Sequence, residues 1–159
     1  MMKNTRLWLC LALLMLAATQ LWAADQRLPR IKIAKDGRTF ETEAGRPFVA
    51  FGVNYYRPGP GWAPQVWKQF DAEATRKDFA RMKELGINCV RVFLSYGSFY
   101  SDPGVLKPEG LERFDRFLAL AEEVGIYVHP TGPDHWEGLP NWQPVAVADP
   151  RTVQHLAQF

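Results

Sequence analysis

Cysteine is scarce: the 159-residue chain has two, Cys10 and Cys89. That excludes a small scaffold stapled by several disulfides. The three histidines, His129, His135 and His155, show no recurring ligand spacing, so no zinc site and no other metal is implied. A glycine-rich phosphate loop is absent, and nothing in the chain calls for a cofactor. Charge of one sign is also lacking. The formal net charge is +2, and without Lys3 and Arg6 the remainder balances at 17 basic and 17 acidic residues. No basic stripe is left to attract nucleic acid or an anionic membrane surface.

What is present begins with a leader. Lys3 and Arg6 precede an uncharged run from Leu7 to Trp22, and Ala23 and Ala24 follow. This is the layout of a secretory signal peptide, and the run falls short of the ~20 residues needed to span a bilayer. Residues 1–23 are therefore expected to be removed. The mature chain, residues 24–159, would be exported, secreted or periplasmic, without stable membrane association. Cys10 leaves with the leader, and the lone Cys89 is expected in the core as a small hydrophobe.

The mature chain has room for one domain. Three near-continuous apolar runs read as strands covered on both faces: "PFVAFGVNYY" from Pro47, "INCVRVFL" from Ile87 and "IYVHPTG" from Ile126. Helical patterns lie between them. In the first, Thr75 and Asp78 suit a capping box, Phe79, Met82 and Leu85 an inward face, and Gly86 a stop. The second has Leu111, Phe114, Leu118 and Ala121 on one face and ends at Gly125. Phe48 to Ile87 and Ile87 to Ile126 are each 39 residues apart. A repeated strand–helix unit implies right-handed crossovers and a parallel sheet. Ahead of it, "IKIAKDGRTFETEAGRPF" reads as a short β-hairpin, and Asp149 and Pro150 read as the start of a further helix. Eight such units would run to roughly 300 residues, the size of a (β/α)₈ barrel. The expected fold class is α/β: the N-terminal portion, about three βα units, of such a barrel, preceded by the hairpin.

Barrel active sites lie at the C-terminal ends of the strands. There the chain places Asn54, Tyr55, Tyr56 and Arg57 with Trp62 beyond, then Ser95 and Tyr96, then "GPDHWEGLPNW" with Asp134, His135, Trp136, Glu137 and Trp142. Aromatic rings with a few polar groups suit a saccharide, whose C–H faces stack on rings while hydroxyls bind amides and imidazoles. Trp62, Trp136 and Trp142 are candidate stacking residues; Trp67, Phe70 and Phe99 are expected in the core. Arg91 interrupts the second strand. A guanidinium inside a buried run requires a partner, either a functional carboxylate or an acid such as Asp134.

"GRPFVAFGVNYY", "KDFARMKELGINCVRVFLSYGSFY" and "LERFDRFLALAEEVGIYV" resemble the N-terminal part of glycoside hydrolase family 5, the cellulases, mannanases and relatives among the clan A retaining glycosidases. "LGINCVRV" is the most specific piece. The resemblance implies a (β/α)₈ glycosidase acting on a polysaccharide or oligosaccharide of mannan or glucan type. It implies that Arg91 orients the catalytic nucleophile and that His135 lines the cleavage subsite. Trp136, Asn54, Tyr55, Trp62 and Trp142, from their places after the strands, are the expected substrate contacts. His129, inside the strand, is either a second site residue or a satisfied interior histidine. Retaining glycosidases need two carboxyl groups about 5–5.5 Å apart. The family carries the acid/base on an Asn-Glu pair, and no such dipeptide occurs here. The chain is therefore expected to be an inactive N-terminal portion of an enzyme. Two other readings stay open: a non-catalytic carbohydrate-binding remnant, and a barrel enzyme of other chemistry.

Overall fold

The computed structural model describes residues 27–57, 59, 62–134, 141 and 150, without the side chain of Asp134. The leader expected at residues 1–23, the loop residues His135, Trp136 and Trp142, and the helix start at Asp149 lie outside the described residues. The chain divides into two compact units, Met1–Phe48 and Val49–Phe159.

In the first unit, β1 (Ile31–Ile33), β2 (Phe40–Thr42) and β3 (Pro47–Phe48) form an antiparallel sheet in that order. Asp36 closes the first turn: its carboxylate accepts from the Arg38 and Thr39 amides at 2.8 and 3.0 Å and from the Thr39 hydroxyl at 2.8 Å. Those donors, the Arg38 amide first, hold the carboxyl below its ordinary value. The second turn changes the expected strand assignment. The Gly45 amide donates to the Thr42 carbonyl at 2.8 Å with Gly45 at φ 76°, and the chain doubles back. Pro47–Phe48 therefore pairs with β2, Phe40 opposite Phe48, instead of opening the parallel strand that follows.

In the second unit, β4 (Gly52–Asn54), β5 (Cys89–Ser95) and β8 (Tyr127–Asp134) form a parallel sheet in the order β4-β5-β8. Helices α1 (Ala63–Lys68) and α2 (Ala72–Glu84) connect β4 to β5. The short helix α3 (Tyr96–Phe99), the small antiparallel pair β6 (Tyr100–Asp102) and β7 (Val105–Leu106), and helix α4 (Pro108–Val124) connect β5 to β8.

Asp71, not Thr75, caps α2: its side chain accepts from the Ala74 amide at 2.9 Å. Thr75 lies inside the helix, its hydroxyl donating to the Asp71 carbonyl at 2.7 Å. Thr75 and Phe79 are buried and Met82 packs on the core, whereas Leu85, past the helix end, is exposed. In α4 the inward face is Phe117, Leu120 and Ala121 with Phe114 and Val124, and Leu111 and Leu118 lie outside it. The face is rotated from the expected one because α4 packs on α2 as well as on the sheet. Gly125 ends the helix at φ 82°, its amide donating to the Ala121 and Glu122 carbonyls.

The core fills the space between sheet and helices. Val90, Val92 and Leu94 of β5 meet Phe79, Phe117 and Leu120 there. Trp67, Phe99 and Phe114 extend it with edge-on ring contacts at 5.3–6.1 Å. Trp67 is fully buried, and its indole N–H donates to the Phe93 carbonyl at 2.6 Å. Trp67 and Phe99 are thus core residues, as the sequence suggests.

Asn88 ties β4 to β5. Its side-chain oxygen accepts from the Phe51 amide and its side-chain nitrogen donates to the Val49 carbonyl, both at 2.8 Å. Its backbone donates to Phe51 and accepts from Tyr127. A short side chain with both a donor and an acceptor is what this position demands. That accounts for the asparagine in "LGINCVRV" on scaffold grounds.

Candidate functional site

In β5 the side chains alternate. Val90 and Val92 enter the helix-side core, so Cys89, Arg91 and Phe93 point to the opposite face. The register carries that parity to the neighbours. Asn54 of β4 pairs with Arg91, and Arg91 pairs with His129 of β8. An amide, a guanidinium and an imidazole thus lie in one row across three strands, all three exposed. Gly52 and Tyr127 share the next row with Cys89.

Arg91 is not a buried charge, contrary to the reading of its segment. It is exposed on the face away from the core, where the guanidinium keeps its water and avoids the desolvation that burial would impose. Its Nε donates to the Thr131 hydroxyl at 2.9 Å, and its guanidinium carbon lies 4.7 Å from the centre of the Phe93 ring. Among the described residues no carboxylate pairs with it.

Tyr55 is a second correction. Only 2% exposed, it belongs to the core and not to an open binding surface. One step beyond Asn54, it has the opposite parity and turns toward the helices. Its ring contacts Phe79 and Phe117, and its hydroxyl donates to Asp78 Oδ2 at 2.8 Å, with Thr75 Oγ1 at 3.4 Å. Burial, with Asp78 beside it, pushes the phenol well above its ordinary value. Trp62 precedes α1 and is exposed. Cys89 is half-buried on the Arg91 face and not in the helix-side core, and burial raises its thiol pKa.

The row therefore unites Asn54, Arg91 and His129 and leaves Tyr55 out. His129, left open in the sequence between a site role and an interior one, shares the face of Arg91, while His135 lies outside the described residues. Thr131 and Phe93, which hold the guanidinium, went unnoticed in the sequence. The signal was available: Arg91 and Phe93 are two apart on one strand, and Thr131 lies two beyond His129 on the next.

No protein-family model matches the chain. A beta-xylosidase from Phanerodontia chrysosporium is 44% identical over 55 residues, which is 33% of this chain and 12% of that protein. Among solved structures, the exo-beta-1,4-mannosidase Op5Man5 from Opitutaceae bacterium strain TAV5 matches with a TM-score of 0.67 and 25% identity. The match covers 78% of this chain and 23% of that one. The GH5_18 protein of Streptomyces cattleya, solved in complex with Manb1-4GlcNAc, matches with a TM-score of 0.53 and 26% identity over 67% of this chain and 28% of that one. The chain thus spans between 12% and 28% of the length of these proteins. The parallel α/β unit is that of a glycoside-hydrolase fold. Over the part these structures cover, the chain is related to glycoside hydrolase family 5.

Proposed function

We propose that the chain is the N-terminal part of an exported retaining glycoside hydrolase, acting on β-linked saccharides of mannan or glucan type. Residues 1–23 serve as its signal peptide, and residues 24–159 supply the first βα units of a (β/α)₈ catalytic barrel. The row of Asn54, Arg91 and His129 on one sheet face carries the reading. In such a barrel that face is the interior, and its polar residues meet substrate and catalytic carboxylates. The mannosidase and the mannosyl-saccharide complex among the related structures favour a mannose-containing substrate.

The reaction is double displacement. One carboxylate attacks the anomeric carbon while an acid protonates the leaving oxygen, and water then releases the sugar with net retention. Arg91 orients the attacking carboxylate by a forked hydrogen bond and keeps it ionised. Asn54 and His129, with His135, Trp136, Trp62 and Trp142, contact the saccharide. The family's Asn-Glu acid/base pair is absent from these 159 residues, so the chain by itself does not hydrolyse glycosides.

The test is to read the coding sequence past the codon for Phe159 and to assay the whole product and the 159-residue chain on an aryl β-mannoside and an aryl β-glucoside. The expected outcome is a frame that continues into an Asn-Glu pair and a later strand-end glutamate. The product then cleaves with retained anomeric configuration by proton NMR, while the 159-residue chain is silent. A stop codon after Phe159, or cleavage with inversion, overturns the reading.

A further inference from the structure

Asp78 of α2 sits where the segment leaving β4 must pass. Two residues of that segment converge on one of its oxygens: the Tyr55 hydroxyl donates to Oδ2 at 2.8 Å, and Arg57 Nε lies 3.6 Å from the same atom. Tyr55 is also fixed at its backbone, its amide donating to the Arg91 carbonyl at 2.8 Å. Between these anchors Tyr56 is 53% exposed, and just before them stands Asn54, opposite Arg91. Asn54, Tyr56, Arg57, Asp78, Arg81 and Met82 line, with Tyr55, a cavity of about 210 Å³. The Thr75 hydrogen is already engaged by the Asp71 carbonyl. Thr75 Oγ1 can then only accept from Tyr55, as a neutral oxygen at 3.4 Å, so the charged carboxylate at 2.8 Å is the stronger acceptor for the Tyr55 proton.

We propose that Asp78 is a positioning residue, a latch on α2 that holds Tyr55 and Arg57 and thereby sets where Asn54 is presented beside Arg91. One carboxylate serving two residues that flank Tyr56 constrains the direction of the exit as well as its distance. The meaning of the latch for catalysis rests on the function proposed above. The latch itself is a property of this chain and is tested without saccharide.

The experiment is hydrogen–deuterium exchange on the full chain, comparing wild type with Asp78→Ala, Asp78→Asn and Tyr55→Phe, and with urea unfolding followed alongside. Loss of the charge-assisted contacts should speed exchange at the amides of residues 54–57 by about tenfold, with peptides from α4 unchanged. Asp78→Asn keeps an acceptor for Tyr55 but loses the charge facing Arg57, so its effect should be intermediate. Asp78→Glu, which restores the charge, should recover most of the protection. Unchanged exchange at 54–57, or a rise of equal size in α4, overturns the proposal: Asp78 is then a bystander or a general stabiliser. Should Asp78→Ala not fold, the same comparison is read from Asp78→Asn and Tyr55→Phe.

Discussion

The side chain of Arg91 is held by Thr131: Nε donates to the threonine hydroxyl at 2.9 Å while the guanidinium lies over the Phe93 ring. Both partners are neutral. They fix the direction of the fork without cancelling its charge, so, among the described residues, the cation remains available to an anion brought to the same face. That separates orientation from neutralisation, which a direct ion pair would have combined.

In a chain that also carries the two catalytic carboxylates, Arg91→Lys should therefore lower kcat more than it raises KM. A lysine supplies charge but not the fork, and loss of a charge-assisted hydrogen bond in the transition state corresponds to roughly 10- to 100-fold in rate. Steady-state kinetics on an aryl glycoside decides. An unchanged kcat would place Arg91 in binding alone.

Trp67→Ala should leave too little core to fold. The residue is 1% exposed and donates to the Phe93 carbonyl, and truncating a buried tryptophan costs about 3–5 kcal/mol, a large share of a small domain's stability. Trp67→Phe keeps most of the volume but removes the indole donor to the Phe93 carbonyl, at about 0.5–1.5 kcal/mol. Urea unfolding followed by circular dichroism should rank them wild type, Phe, Ala.

Gly52→Ala should loosen the β4–β5 pairing. A Cβ there would stand 2.6 Å from the Cys89 carbonyl oxygen, and relieving such overpacking costs about 1–3 kcal/mol. Amide exchange at residues 52–54 should rise before that of α4. Asn88→Ala should act on the same seam by removing the bonds to Phe51 and Val49, whereas Asn88→Asp keeps only the acceptor.

The buried Tyr55 phenol predicts a stability loss in alkali. Its folded pKa lies above the ordinary value of 10.0, chiefly through burial. The native state thus holds a proton that the unfolded chain releases, so its contribution is complete below about pH 10 and declines as pH rises beyond it. Tyr55→Phe should flatten that decline in urea titrations between pH 9 and pH 11. An identical slope in both proteins would mean that Tyr55 is not the group responsible.

Much of the architecture was legible in the chain itself. Ile87 and Ile126, matched across the 39-residue repeat, are both buried, and each stands just ahead of a strand of the parallel sheet. Gly86 and Gly125 stop their helices at positive φ, as their places after the last apolar turn suggest. Asn54 and Arg91 were recognised as site candidates from residue type and position, and they prove to be register partners. Residue type and local spacing suffice for these features because strand covering, helix stops and turn glycines are local requirements.

Other features needed the assembled sheet. Asn54 and Tyr55 are adjacent in sequence and look alike as candidates, yet one joins the polar row and the other enters the core, because successive side chains point to opposite sides. His129 joins Arg91 only through the β5–β8 register. Pro47–Phe48 leaves the parallel strand for β2, and the buried face of α4 depends on two neighbours at once. The sequence by itself determined the repeat, the helix stops and the presence of a charged residue on a strand. Only tertiary structure decided which face each side chain takes, since a face is defined by what packs against it.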